Sequence, residues 1–184
     1  MASVALAPFV PEGRAHRELR AFRWLLGAYW LVFLCARQPY FWGFRSLPSY
    51  PFRPIGALSF LNTPWPAWWV SVLSFGAIPL AVAFLVPGRH QRALGLVFAA
   101  WVGVLLTYTN SFGMILHTEN LAWLHLVLVS VGLALTDARS ELGARRILRL
   151  LAWSTALAYF IAGVAKLRIG GMAWRAVSME PVRL

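Results

Sequence analysis

The chain has 184 residues, a formal net charge of +11, 60% hydrophobic residues and only 12% charged ones. A soluble domain of this size is about 45–50% apolar and about 25% charged, so both numbers point to the bilayer. The positive charge does not indicate nucleic acid, because the arginines lie between apolar runs instead of forming one solvated basic face; there they set orientation and meet lipid headgroups.

Residues 1–21 read as a basic cytoplasmic tail: Pro8, Pro11 and Gly13 loosen its start, and Arg14, Arg17 and Arg20 follow. Residues 22–184 read as one transmembrane domain. The first span is expected over 22–36, retained and not cleaved, since Arg37 and an aromatic loop follow it instead of a small-residue cleavage site. Cys35 is expected to be a small core residue. Residues 37–66 hold six prolines and many aromatics. Proline at this density breaks helices, so a structured loop or short interfacial helix over the bundle is expected.

The second span is expected over 67–86, with a kink at Pro79. A basic turn, Pro87 to Arg92, leads to the third span over 93–109, where Gly95 and Gly103 suit close packing. The fourth span is expected over 121–136. A polar connection containing Asp137 and Arg139 leads to the fifth, over 147–165. The fold class is therefore all-α: a polytopic helical membrane protein of about five transmembrane helices with a Pro/aromatic-rich interfacial loop.

Orientation follows from basic residues in the short connections. The 87–92 and 137–146 turns are basic and 110–118 has no Lys or Arg, which places the N-terminus in the cytoplasm. Five spans then put Tyr108, Asn110, His117, Glu119, Asn120, Lys166 and the 37–66 loop on the opposite side. This grouping rests on parity and holds for either absolute orientation.

Lys166 closes an apolar helix on which Tyr159, Gly163 and Lys166 recur at i, i+4 and i+7, one face. It reads either as a lysine desolvated enough to act as a base or as an interface lysine that snorkels. His117 reads as an acid–base or headgroup-anchoring group. Glu119 reads as its partner or as the acid that meets the positive helix end beside a Thr118 or Asn120 cap. His125 lies inside span four; intramembrane ionisable groups are functional candidates, and a neutral histidine bonded across helices is the commoner case. Tyr108 and Trp123 read as packing or interfacial residues. The four histidines are scattered and no metal spacing is present.

The string Tyr159-Phe160-Ile161-Ala162-Gly163-Val164-Ala165-Lys166-Leu167, followed by Trp174 and Ser178-Met179-Glu180, resembles a segment of the vitamin-K-dependent gamma-glutamyl carboxylases and of their bacterial relatives, the HTTM (horizontally transferred transmembrane) domain proteins. Ser111 to His117 and Thr136 to Ser140 are similar to the bacterial proteins in order and spacing. The resemblance implies an HTTM-type domain in the bacterial inner membrane, with Lys166 in the place of the base that deprotonates vitamin K hydroquinone. Asn120 is followed by Leu121 where the carboxylases have histidine, and Ala165 stands where they have a second lysine. The carboxylases continue into further spans and a lumenal substrate domain after the motif, so protein carboxylation by this chain alone is not expected. Two functions remain: a structural or accessory subunit that partners other membrane proteins and lipids, or a membrane protein that binds a quinone or other lipid-soluble ligand. In the second, Lys166 and His117 are catalytic and Tyr159, Gly163, Asn120, Glu119 and His125 line the site.

Overall fold

The computed structural model describes residues 13–43, 52–60, 66, 68–86, 90–112, 117–136 and 140–170, with the side chains of 57, 117, 118 and 168–170 excepted. All regular structure among them is helical. The long helices are α1 (Arg14–Ala36), α3 (Trp68–Leu85), α4 (Gln91–Asn110), α5 (His117–Leu135) and α6 (Glu141–Gly170). A six-residue helix, α2 (Gln38–Gly43), and a 3-10 turn at Gly56–Leu58 lie within the Pro/aromatic-rich stretch. The chain is thus an all-helical protein of membrane type. Among the described residues, α1, α3, α4 and the 141–167 part of α6 are long and apolar enough to cross a membrane, and α5 is a shorter apolar helix.

Each long helix packs on its neighbour: α1 on α3, α3 on α4, α4 on α5, α5 on α6, and α6 back on α1. The ring closes around Trp30 and Leu34 from α1, Phe84 from α3, Phe98 and Leu105 from α4, Leu126 from α5 and Ile147 from α6, all essentially buried. In hydrocarbon the lipid tails are as apolar as leucine, so close backbone approach and interhelical hydrogen bonds hold such a ring. Glycines supply the approach. A Cβ on Gly27 would meet Leu85 at 2.6 Å, one on Gly95 Ser130 at 3.0 Å, and one on Gly132 Ile147 at 2.8 Å. Gly76 and Gly103 admit a whole indole each. The Trp101 ring would lie 2.8 Å from a Cβ on Gly76, and the Trp123 ring 2.9 Å from one on Gly103. Each indole N–H then donates to a backbone carbonyl of the helix it lies on: Trp101 to Leu73 O and Trp123 to Ala99 O, both at 2.8 Å. Tyr108 and Trp123 are packing residues, as expected.

The helix ends have local causes. Nothing between Arg14 and Ala36 interrupts α1, so it begins well before the expected first span, supported by an Arg14–Glu18 pair at i, i+4. Pro39 ends it, because its ring opposes the carbonyl four residues back. The chain restarts after one non-helical residue, Arg37, as α2, the short helix expected over the bundle. Pro79 is accommodated inside α3. Cys35 departs from expectation: it is exposed and free. It follows the buried Leu34 by about 100° of helical rotation and leaves the packed face. The turns at 87–89 and 137–139, with Asp137, and the Trp174 and Ser178-Met179-Glu180 parts of the motif lie outside the described residues.

Candidate functional site

The ends of α1, α3, α4 and α5 that parity puts on one side do meet, in a polar cluster. Arg37, between α1 and α2, approaches Glu119 in the first turn of α5, with Nη2 to Oε1 at 3.6 Å. Glu119 is only 8% exposed, which makes a cationic partner necessary. The Arg37 guanidinium sits over two rings, 5.7 Å from the centre of Phe33 and 5.5 Å from that of Tyr40, so aromatic faces complete its surroundings. Burial pushes the Tyr40 phenol up; the Arg37 charge draws it down and Glu119 pushes it up again, and the net direction is upward.

Neutral groups extend the cluster. Asn110 Nδ2, at the end of α4, donates to Asn120 Oδ1 in α5 at 3.2 Å, while Asn110 Oδ1 is buried with no partner among the described residues. Gln38 Nε2 donates to Leu34 O at 3.0 Å, and the Ser74 hydroxyl is shared between Gln38 Oε1 at 3.2 Å and Ser71 O at 3.0 Å. The extended stretch 52–55 closes over the end of α4. Its Arg53 N–H donates to Ser111 O at 2.9 Å and its Ile55 N–H to Ser111 Oγ at 3.3 Å. Phe52 packs on Tyr108 and Phe112.

Glu119 and Asn120 therefore belong to this cluster. His117 opens α5, with its side chain outside the described atoms. Thr118 and Asn120 are already helical, so neither is the cap that the sequence suggested; Glu119 still faces the positive end of the helix. Sequence reasoning did not single out Arg37. The signal was present: Arg37 ends span one on the side where Glu119 begins span four, and acids are scarce in the chain.

His125 is a separate site. Its Nε2 lies 2.9 Å from Thr155 Oγ1 of α6. The Thr155 hydroxyl already donates to Leu151 O at 2.8 Å, so the imidazole N–H is the donor, the cross-helix arrangement expected. Phe22 meets the same ring edge-on at 5.8 Å. Thr155 is also close to where α6 leaves the bundle. Every residue from Tyr159 to Leu167 is exposed, Tyr159 at 70%, and a Cβ on Gly163 would meet nothing within 4 Å. Tyr159, Gly163 and Lys166 share a face, as their spacing predicts, and the face is bare. No hydrogen bond or ion pair among the described residues joins Lys166 to the Arg37–Glu119 cluster. No group of three or more His, Cys, Asp or Glu side chains comes together among the described residues.

Comparison with family models, curated proteins and solved structures gave no match for this chain.

Proposed function

We propose that the chain is an HTTM-type membrane protein that serves as a structural or accessory subunit, pairing with a helix of another membrane protein through the second half of α6. The observation that carries this reading is the division of α6: Ala144, Ile147 and Leu151 are buried in the ring, and everything beyond Ala158 that is described stands bare. The bare half presents Ala162, Gly163 and Ala165, the small residues that let another backbone approach. In this reading Lys166 anchors the helix end to headgroups or to the partner, with the N-terminus cytoplasmic. The quinone-binding reading needs Lys166 inside a polar pocket, and the exposure of Tyr159, Gly163 and Lys166 favours the partner instead.

The test is a comparison of Lys166→Arg with Lys166→Ala, joined to disulfide crosslinking at Gly163→Cys in a Cys35→Ser background. An anchor needs only positive charge, so arginine preserves co-purification of the partner and alanine weakens it. A base must lose its proton, and arginine does not. Equal failure of both variants, with no crosslinked species at position 163, would remove the subunit reading.

A further inference from the structure

α3 and α4 enclose a groove open to the surroundings, with a volume of about 600 Å³ and a lining of Trp69, Leu73, Val97, Ala100, Trp101 and Val104. This lies within the roughly 300–1,000 Å³ of sites that hold small molecules. The lining is apolar, and the Trp101 indole N–H in it is already donated to Leu73 O. Both helices are long and apolar enough to cross a membrane, so the groove opens into hydrocarbon and takes a chain in preference to water.

The groove has a distinct end. Val97, Ala100, Val104, Thr107 and Ser111 recur at three- and four-residue steps and form one stripe of α4. Residues 53–56 cross the end of that stripe. Arg53 and Ile55 are tied to Ser111, and Gly56 sits where a Cβ would lie 3.6 Å from the Thr107 methyl. Gly56 has φ 56°, a conformation that favours glycine and lets the stretch turn tightly there. Val104 to Ser111 is about 10 Å along the helix axis. Arg53 is thus placed just beyond the groove, exposed and with no ion pair among the described residues. At the same end Trp68 and Trp69 stack at 4.6 Å, the residue type that marks the headgroup level.

We propose that the α3–α4 groove binds one acyl chain of an anionic phospholipid whose phosphate is met by Arg53. The apolar lining selects the chain and the cation at the interface end selects the charge. This assignment is independent of α6 and of its partner.

The test uses the full-length chain, stripped of lipid in detergent and titrated with phosphatidylglycerol or phosphatidylcholine, with adducts resolved by native mass spectrometry. One phosphatidylglycerol binds about fivefold more tightly than phosphatidylcholine, the preference that a single interfacial cation confers. Arg53→Gln brings the two lipids to equal affinity. Ala100→Trp fills the groove and removes the first adduct of both, while Leu124→Trp on α5 changes neither. Should Ala100→Trp fail to run as a monodisperse species, Val104→Phe carries the same comparison. Equal binding of the two lipids by the unaltered chain, or an undiminished adduct in the groove-filled variant, overturns the proposal. So does a retained prenyl lipid or polypeptide that phosphatidylglycerol does not displace.

Discussion

Gly132 and Gly163 are both glycines of apolar helices, and the structure treats them in opposite ways. Gly132 of α5 is filled by Ile147 from the first half of α6, which would stand 2.8 Å from a Cβ there; Gly163, in the second half of α6, has nothing within 4 Å. The same contrast runs along the whole of α6. Its first half does what α3 does with Leu85 at Gly27, offering a branched side chain to a neighbour's glycine. Its second half keeps the small residues and stands exposed, with nothing against Gly163 among the described residues. A small residue in a span is thus evidence of close approach only when its partner can be named. The difference separates what this chain completes by itself from what it leaves open.

The largest expected break in that comparison comes from replacing each glycine by leucine. Gly132→Leu forces Ile147 out of its place and costs about 3 kcal/mol, the upper end for overpacking. Gly163→Leu leaves the stability of the isolated chain unchanged within about 0.5 kcal/mol. Thermal unfolding in detergent reads both. A loss at Gly163 as large as that at Gly132 means that something in the chain itself covers α6.

Leucine truncation sharpens the same line one step down. Leu151 is 4% exposed and Leu157 57%. Leu151→Ala leaves a cavity between α6 and its neighbours and costs about 2 kcal/mol, the low end of the range for buried leucine. Leu157→Ala costs less than about 0.5 kcal/mol. Equal effects would show that the two halves of α6 are packed alike.

The charged groups at the two ends of the comparison come next. Glu119→Gln removes the countercharge of Arg37. Glu119 is buried and Arg37 is partly exposed, with side chains 10% and 41% accessible, so the loss lies at the upper end of the range for solvent-exposed pairs, about 1 kcal/mol. Lys166→Gln costs the isolated chain nothing measurable in the same unfolding assay. A larger loss at Lys166 than at Glu119 would reverse which of them holds the bundle together.

Much of this was legible before the fold. Long apolar runs fixed the five helices, Pro39 breaks the helix as its chemistry requires, and parity grouped Asn110, Glu119 and Asn120 with the 37–66 stretch. Parity assigns a side and not a facing, which is why Lys166 shares a side with Glu119 and shares no contact with it. The extra turns at the start of α1 and α6 were missed because arginines there look like the edge of a span, although arginine is a good helix former. Arg37 was missed because it was read as a span boundary. The indole contacts were invisible for a different reason. Matching Trp101 to Gly76 or Trp123 to Gly103 requires the rotation of two helices about their axes, and hydropathy does not carry it.

Those indoles yield the smallest of the expected effects and the finest test of the comparison. Trp101→Phe and Trp123→Phe keep a ring over Gly76 and Gly103 and delete one interhelical hydrogen bond each, to Leu73 O and Ala99 O. Interhelical hydrogen bonds in a bilayer protein are worth about 0.6 kcal/mol on average, and each change is expected to cost that much. Trp153 is 74% exposed in α6, so Trp153→Phe has no such bond to lose among the described residues and should be silent. The two latches share only α4, with Leu73 and Gly76 on one side and Ala99 and Gly103 on the other, so the double Trp101→Phe, Trp123→Phe variant should lose the sum of the two, about 1.2 kcal/mol. A double loss well above that sum would mean that the latches are coupled through α4, and that α3, α4 and α5 close as one unit while the second half of α6 stands outside it.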